Sequence, residues 1–279
     1  MNTIRLETAS IDLKATLMES GQCFHWRQTP QGLAAAFPGG RAVFLRQGED
    51  WFGPEADAAF LRRYLDLDRD YAALRREFAP FPAALRAMDR FPGLRVLNQP
   101  AWETTLSFIL SANNNILRII GLVRALSERY GERVDTLAGP MYAVPDPGVL
   151  ARTDEASLRA LGAGYRAPYV LRTARMVADG FPLDALRDLP YEEARATLLR
   201  LPGVGDKVAD CILLFGCGHT SAFPVDVWVE RLLGDWFGMR AKTRPALKRM
   251  AMAAFGPHGG LMQQYLFHAA RMGEDLTTT

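Results

Sequence analysis

Leu201-Pro202-Gly203-Val204-Gly205-Asp206-Lys207-Val208-Ala209-Asp210 is the stretch whose reading decides the fold. The apolar spacing upstream predicts a helix over 191–201, which stops at Pro202-Gly203. A second apolar helix over 207–215 follows at once, with Asp206 placed to cap it. A plain helix stop needs one glycine, and here Gly203 and Gly205 stand two apart. Lacking Cβ, both can take positive φ and let the backbone come close to another surface. The amides of the turn and of the next helix's first turn have no internal partner. Such a turn suits a DNA phosphate and reads shape rather than sequence. The plainer alternative is an αα-hairpin with no ligand.

Lys207 falls in the first turn of the second helix. The helix dipole and burial both disfavour an ammonium there, which leaves more free amine to act as a nucleophile. The alternative is a lysine that only pairs with phosphate. Downstream, Phe223-Pro224-Val225-Asp226-Val227-Trp228 brings an extended segment to the start of a predicted helix over 227–236. Asp226 is then an N-cap, worth about 1 kcal/mol. The same carboxylate can also stabilise a cationic sugar and orient an amine, and the two roles are compatible.

Outward from the hairpin, helical spacing dominates from Phe91 on: 102–111, 116–130, 147–153, 155–161, 167–179, 244–255 and 261–271. The first eighty or so residues read differently. Short runs at 4–6, 34–37, 42–46 and 51–52 are broken by Gly21, Pro30, Gly32, Pro38, Gly39, Gly40 and Gly48, as antiparallel strands and turns would be, with helical spacing starting near Asp57. The expected fold class is α+β: a small antiparallel-sheet N-terminal domain over 1–90, then a two-lobed all-helical body over 91–279 whose helix-hairpin-helix lies near 191–215.

Composition narrows the function classes. The chain has 279 residues, 49% hydrophobic and 23% charged, which fits a globular protein rather than a disordered one. Cys23, Cys211 and Cys217 match no zinc or iron–sulfur spacing and make no disulfide framework, which points to a reducing compartment. No run is long and apolar enough for a membrane span, and Met1 to Asp12, with Arg5 and Glu7, does not read as a signal peptide. A net charge of +2 implies no nucleic-acid partner by itself. Its distribution says more: Arg240, Lys242, Arg244, Lys248, Arg249 and Arg271 share a window with no acid between Asp235 and Glu274. That window is either a solvated helix face or a phosphate-facing surface.

With these residues in place, the chain resembles a helix-hairpin-helix DNA glycosylase, and more closely the 8-oxoguanine DNA glycosylase/AP lyase branch. The resemblance rests on Gly21-Gln22-Cys23-Phe24-His25-Trp26, on Ser111-Ala112-Asn113-Asn114-Asn115-Ile116, on Gly162-Ala163-Gly164-Tyr165-Arg166-Ala167, on the hairpin with Pro-Val-Asp-Val, and on Gln263 with Phe267. It spans nearly the whole chain. The triple asparagine and the Gly-Tyr-Arg loop are specific to that branch, whereas the hairpin is shared with other glycosylases and with non-catalytic DNA binders.

The resemblance implies roles. Lys207 would attack C1′ and form a Schiff base, with Asp226 assisting. Cys211 and Phe267 would wall the base pocket, and Gln263 would bond the Watson–Crick edge. The Gly21 carbonyl would accept from N7–H, which 8-oxoguanine has and guanine lacks; facing a lone pair instead costs about 1–3 kcal/mol. Asn113 would fill the gap, Tyr165 would wedge nearby, and Arg118 and Arg166 would read the orphaned cytosine. Gly203, Val204 and Gly205 would hold phosphate. Each has a plainer alternative: Cys211 and Phe267 as core, Gln263 as surface, Asn113 as a cap for the helix from Ile116, Tyr165 and Arg166 as ordinary loop. Trp228 is a departure, since many eukaryotic members have histidine there, although cytosine remains the expected opposite base. The iron–sulfur cysteines of the endonuclease III and adenine-glycosylase branches are missing after Cys217, which argues against both.

The expected partner is double-stranded DNA with a damaged base, with no membrane and a monomeric protein. The expected location is cytoplasmic and nucleoid-associated in a prokaryote, nuclear in a eukaryote. No redox cofactor or catalytic metal is called for; a monovalent cation could sit among the hairpin carbonyls. The rival readings are a glycosylase for alkylated bases or oxidised pyrimidines, and a non-catalytic hairpin module that anchors DNA and needs neither Lys207 nor Asp226.

Overall fold

The computed structural model describes residues 3–6, 10–30, 32–45, 51–136 and 139–276; Glu7, Arg46 and Gly48 from the sequence reading lie outside the described residues. Strands β1 (Thr3–Leu6) and β5 (Trp51–Pro54) form an antiparallel pair, while β2 (Arg27–Thr29), β3 (Gly32–Phe37) and β4 (Arg41–Leu45) form a meander. Helices α1 (Glu55–Tyr64), α2 (Tyr71–Glu77) and α3 (Pro82–Arg90) follow. The last two were not anticipated, because both are short.

From α4 (Ala101–Ser111) onward the chain is largely helical: α5 (Ile116–Tyr130), α6 (Pro147–Ala151), α7 (Glu155–Ala160), α8 (Ala167–Ala178), α9 (Tyr191–Leu198), α10 (Asp206–Gly216), α11 (Val227–Phe237), α12 (Arg244–Phe255) and α13 (Gly259–Arg271). Of the described residues, no helix is long and apolar enough to cross a membrane.

The body is not all-helical. Strands β6 (Arg133–Thr136) and β7 (Gly139–Tyr142) form a hairpin between α5 and α6. Its cause lies in β3. Leu33, Ala35 and Phe37 face the N-terminal core with Trp26, Val43 and Tyr64, whereas Ala34 and Ala36 face Val134, Met141 and Ala143. The small alanines let the hairpin lie close on the sheet's second face, so β3 is buried on both sides.

Helices α4 and α10 run through the centre of the body and are buried almost throughout. The Phe108 and Phe215 rings stack at 5.5 Å and 16° where the two helices meet. Gly216 permits that approach, since a Cβ there would lie 3.0 Å from Thr104 Oγ1. Each such buried apolar side chain contributes about 1.5–3 kcal/mol. This packing holds the hairpin between α9 and α10, and with it Lys207, against a rigid base.

Candidate active site

Local structure at the hairpin explains the placement of its lysine. Gly203 has φ of 81°, and an added Cβ would sit 2.8 Å from Tyr169 Cβ, so only glycine fits the turn. Gly205 differs from expectation: it is extended, at φ −101° and ψ −176°, with open space where a Cβ would be. It is also the residue that precedes α10, so Asp206 is not the cap; it lies in the first turn and pairs with Arg195. Val204 is buried in the main core and its N–H donates to Leu201 O. Thr173 Oγ1 donates to Pro202 O at 2.9 Å, tying the turn to α8.

Lys207 is half-buried, with Nζ 5.0 Å from the centre of the Phe108 ring. Among the described residues no carboxylate pairs with it. One turn on, the Cys211 thiol is buried; desolvation pushes its pKa up to about 11, against the pull of the neighbouring Lys207 cation. Asp226 caps α11 as expected. Its Oδ1 accepts from the N–H groups of Trp228 and Val229, both at 2.9 Å. Both bonds fall on one oxygen, which leaves Oδ2 for other chemistry.

Lys207, Cys211 and Asp226 line one narrow recess with Gly21, Phe108, Phe215, Pro224, Val229, Gln263, Gln264 and Phe267. The recess adjoins a wider cleft that shares Lys207, Asp226, Gly21, Phe108 and Phe267. Of the lining residues, Phe108, Phe215, Val229 and Gln264 escaped the sequence reading. Nothing in their spacing separates them from ordinary core.

Gln263 is 3% exposed, so the surface alternative fails, and its Oε1 has no hydrogen-bond partner among the described residues. A buried acceptor left open toward a recess costs about 1–3 kcal/mol and is satisfied when a donor enters. Gly21 has φ of 71°, and an added Cβ would meet Arg271 Nη1 and Ile116 Cδ1 at 2.9 Å and Phe267 Cε1 at 3.6 Å. The strap that carries it is tied down on all sides. A π-helical turn over Ala15–Glu19 leads into it, and Gln264 Nε2 donates to Ser20 O at 2.9 Å. The Gln22 amide donates to Arg95 O at 2.8 Å and accepts from Leu97 N–H at 2.8 Å. Arg271 Nη1 donates to Glu19 O at 2.8 Å.

The asparagine turn and the Gly-Tyr-Arg loop are bonded to each other. Asn115, not Asn113, caps α5, its Oδ1 accepting from Arg118 N–H at 3.0 Å. Asn113 is exposed and left-handed at φ 47°. Tyr165 is half-exposed, and its hydroxyl donates to Ala112 O at 2.9 Å. Arg118 is exposed on the first turn of α5, but Arg166 is only 3% exposed. Its Nε donates to Ala112 O at 2.8 Å and its Nη2 to Asn113 O at 2.9 Å. The expected pair of outward-facing arginines is therefore one arginine facing out and one turned in.

The basic window also divides. Lys248 is buried, with Nζ 2.7 Å from Asp210 Oδ2, and Arg244 pairs with Glu230. Arg240, Lys242 and Arg249 remain exposed. Trp228 is 56% exposed at the rim of the wider cleft, its ring under the Arg231 guanidinium at 5.5 Å.

Comparison with known proteins adds to this geometry. Residues 3–105 match the model of the 8-oxoguanine DNA glycosylase N-terminal domain, and residues 106–257 that of the HhH-GPD superfamily of base excision DNA repair proteins. A crystal structure of the Clostridium acetobutylicum 8-oxoguanine glycosylase/lyase, in complex with double-stranded DNA carrying cytosine opposite 8-oxoguanine, superposes with a TM-score of 0.89 at 29% identity, covering 98% of both chains. An N-glycosylase/DNA lyase from Arabidopsis thaliana is 33% identical over 90% of this chain and 75% of its own length. A protein of Methanothermobacter thermautotrophicus that carries the name "Probable N-glycosylase/DNA lyase" is 33% identical over 67% of this chain. The match spans 66% of that archaeal protein, just under two thirds.

Proposed function

The chain belongs to the HhH-GPD superfamily of base excision DNA repair proteins, in its 8-oxoguanine DNA glycosylase branch, and on that premise we propose that it excises 8-oxoguanine from duplex DNA and cleaves the resulting abasic site. The observation that carries this reading is one recess that holds, among the described residues, an amine without a carboxylate partner, a buried acceptor without a donor, and an aromatic face: Lys207, Gln263 and Phe267.

A flipped nucleotide enters with its base between Phe267 and the Cys211 wall and its sugar toward Lys207 and Asp226. Gln263 Oε1 accepts from the N–H groups on the guanine edge, and Gly21 O accepts from N7–H. The Lys207 amine attacks C1′ as the C1′–N9 bond breaks, and its bonding electrons leave with the base, which takes up a proton. Asp226 stabilises the positive charge that develops on the sugar. Loss of an amine proton and opening of the ring give the C1′ imine. That imine acidifies the C2′ proton; its removal expels the 3′ phosphate and breaks the strand. The hairpin and the exposed face of Asn113, Tyr165 and Arg118 grip the duplex around the vacancy, with cytosine the favoured opposite base.

Base release from duplexes carrying 8-oxoguanine, an alkylated purine or an oxidised pyrimidine tests the substrate. Release of 8-oxoguanine opposite cytosine should be fastest. Faster release of either other lesion replaces this reading with a different glycosylase.

A further inference from the structure

Four consecutive carbonyls run through the strap at Glu19, Ser20, Gly21 and Gln22, and side chains from distant elements hold three of them. Arg271 Nη1 donates to Glu19 O at 2.8 Å, Gln264 Nε2 to Ser20 O at 2.9 Å and Gln99 Nε2 to Gln22 O at 2.7 Å. Gly21 O accepts no hydrogen bond among the described residues, and Gly21 lines the recess. The open carbonyl thus sits between fixed neighbours, at the one position of the four where glycine lets a peptide turn over most readily. Two of the three donors come from α13, the helix that also carries Gln263 and Phe267. Gln264 is 2% exposed, so solvent does not compete for its bond. Arg271 reaches the Glu19 carbonyl and not the carboxylate, which pairs with Lys14 at 2.7 Å. The same guanidinium closes the space beside Gly21, where an added Cβ would lie 2.9 Å from Nη1.

We propose that Gln264 and Arg271 are positioning residues for the Gly21 carbonyl, and that the preference for a base with a donor at N7 depends on them. The reason is physical. A lone acceptor separates N7–H from a bare N7 only if it cannot turn aside. A carbonyl that swings away escapes the lone pair and gives up the bond to the hydrogen at the same time. Fixed neighbours preserve both the gain and the penalty. The inference rests on the glycosylase reading above, but it concerns how the base is told apart and not how its bond is broken.

The test pairs a change in the protein with a change of one atom in the base. Duplexes carry 8-oxoguanine or 8-oxo-7-deazaguanine opposite cytosine, and the dissociation constant of each is measured. Both bases sit on a 2′-fluoroarabino sugar, whose fluorine destabilises a cationic sugar and so blocks excision. The deaza base keeps the outline and has C–H where 8-oxoguanine has N7–H. The wild type should bind 8-oxoguanine about tenfold more tightly, the scale of one hydrogen bond. Gln264→Met, close in shape and unable to donate, should bring that ratio to within about threefold by weakening 8-oxoguanine more than the deaza base. Arg271→Met should shrink the ratio likewise, on top of a uniform loss from the missing charge. Cooperative unfolding in urea shows that each variant is folded, and Arg271, half-buried at the end of α13, carries the test if Gln264→Met is not. A ratio that stays near tenfold in either folded variant overturns the proposal, as does equal weakening of both bases in Gln264→Met. A wild type that binds the two bases alike overturns it at the earlier step, the N7–H contact. Failure of the glycosylase reading shows separately, as no release of 8-oxoguanine from the ordinary sugar.

Discussion

Lys207 Nζ stands 5.0 Å from the centre of the Phe108 ring, and that ring stacks in turn on Phe215. An amine held by a carboxylate would be locked as an ammonium. A ring face contributes only about 0.5–2 kcal/mol and imposes no hydrogen-bond geometry, so the side chain can leave it to approach an electrophile. Helix α10 fixes the stem and the two aromatic rings fix the floor.

Asp226→Asn separates a cap from a reacting group. The amide oxygen can accept from Trp228 and Val229 as the carboxylate does, so the melting temperature should change little, with a loss of about 0.3–1 kcal/mol from the dipole. Single-turnover base release should fall by about 10²–10³-fold, the scale of losing one preorganised charge. An unchanged rate would reduce Asp226 to a cap.

Gly21→Ala tests the strap. The new methyl meets Arg271 Nη1 and Ile116 Cδ1 at 2.9 Å, on a backbone at φ 71° that alanine resists. Release of 8-oxoguanine should drop at least about tenfold as the strap shifts, 1.4 kcal/mol of misfit being enough. Cleavage of preformed abasic sites should fall less, because no base then needs to fit. Equal losses in the two assays would show that the strap serves the lysine and not the base.

The Tyr191–Asp210–Lys248 network predicts a stability effect away from the chemistry. Tyr191 OH donates to Asp210 Oδ1 at 2.6 Å and Lys248 Nζ lies 2.7 Å from Oδ2, with the carboxylate fully buried and its pKa raised, chiefly by desolvation. Lys248→Met should cost about 3–5 kcal/mol in urea unfolding, because it strands a buried charge. Adding Asp210→Asn should recover part of that loss. A penalty below 1 kcal/mol for Lys248→Met would mean that the pair is not desolvated.

Burial raises the Cys211 thiol from 9.0 to about 11, which has a stability consequence of definite sign. The unfolded chain ionises first as pH rises, so the folded state loses stability from about pH 9 until the folded thiol itself titrates near 11. The stability difference between the wild type and Cys211→Ala should therefore be constant below pH 8 and shrink above 9. The thiol should also resist iodoacetamide at pH 8. Rapid alkylation of Cys211 in the folded protein would contradict its burial.

Much of this was legible in the sequence, for reasons that differ by residue. The ends of α5 and α12 follow from apolar periodicity, although the cap of α5 falls on Asn115 and not Asn113, and Asp226 follows from the Pro-Val-Asp-Val spacing. The partners of a side chain did not follow. Lys248 reads as one more basic residue in an acid-free window, yet it is buried against a carboxylate 38 positions away. Arg166 reads as an exposed loop arginine, yet it is spent on carbonyls more than 50 positions distant. The β6–β7 hairpin depends on two alanines of β3 that look like weak strand formers until their second face is covered. Periodicity encodes which face is apolar; it does not encode which long-range group waits there.

The central claim is that Lys207 is the nucleophile, and borohydride reduction during turnover of an 8-oxoguanine:cytosine duplex tests it most directly. The wild type should be trapped as a covalent protein–DNA adduct, and Lys207→Gln should bind the duplex with similar affinity and give none. An adduct of comparable yield with Lys207→Gln, or base release by the wild type with no adduct at all, would contradict it.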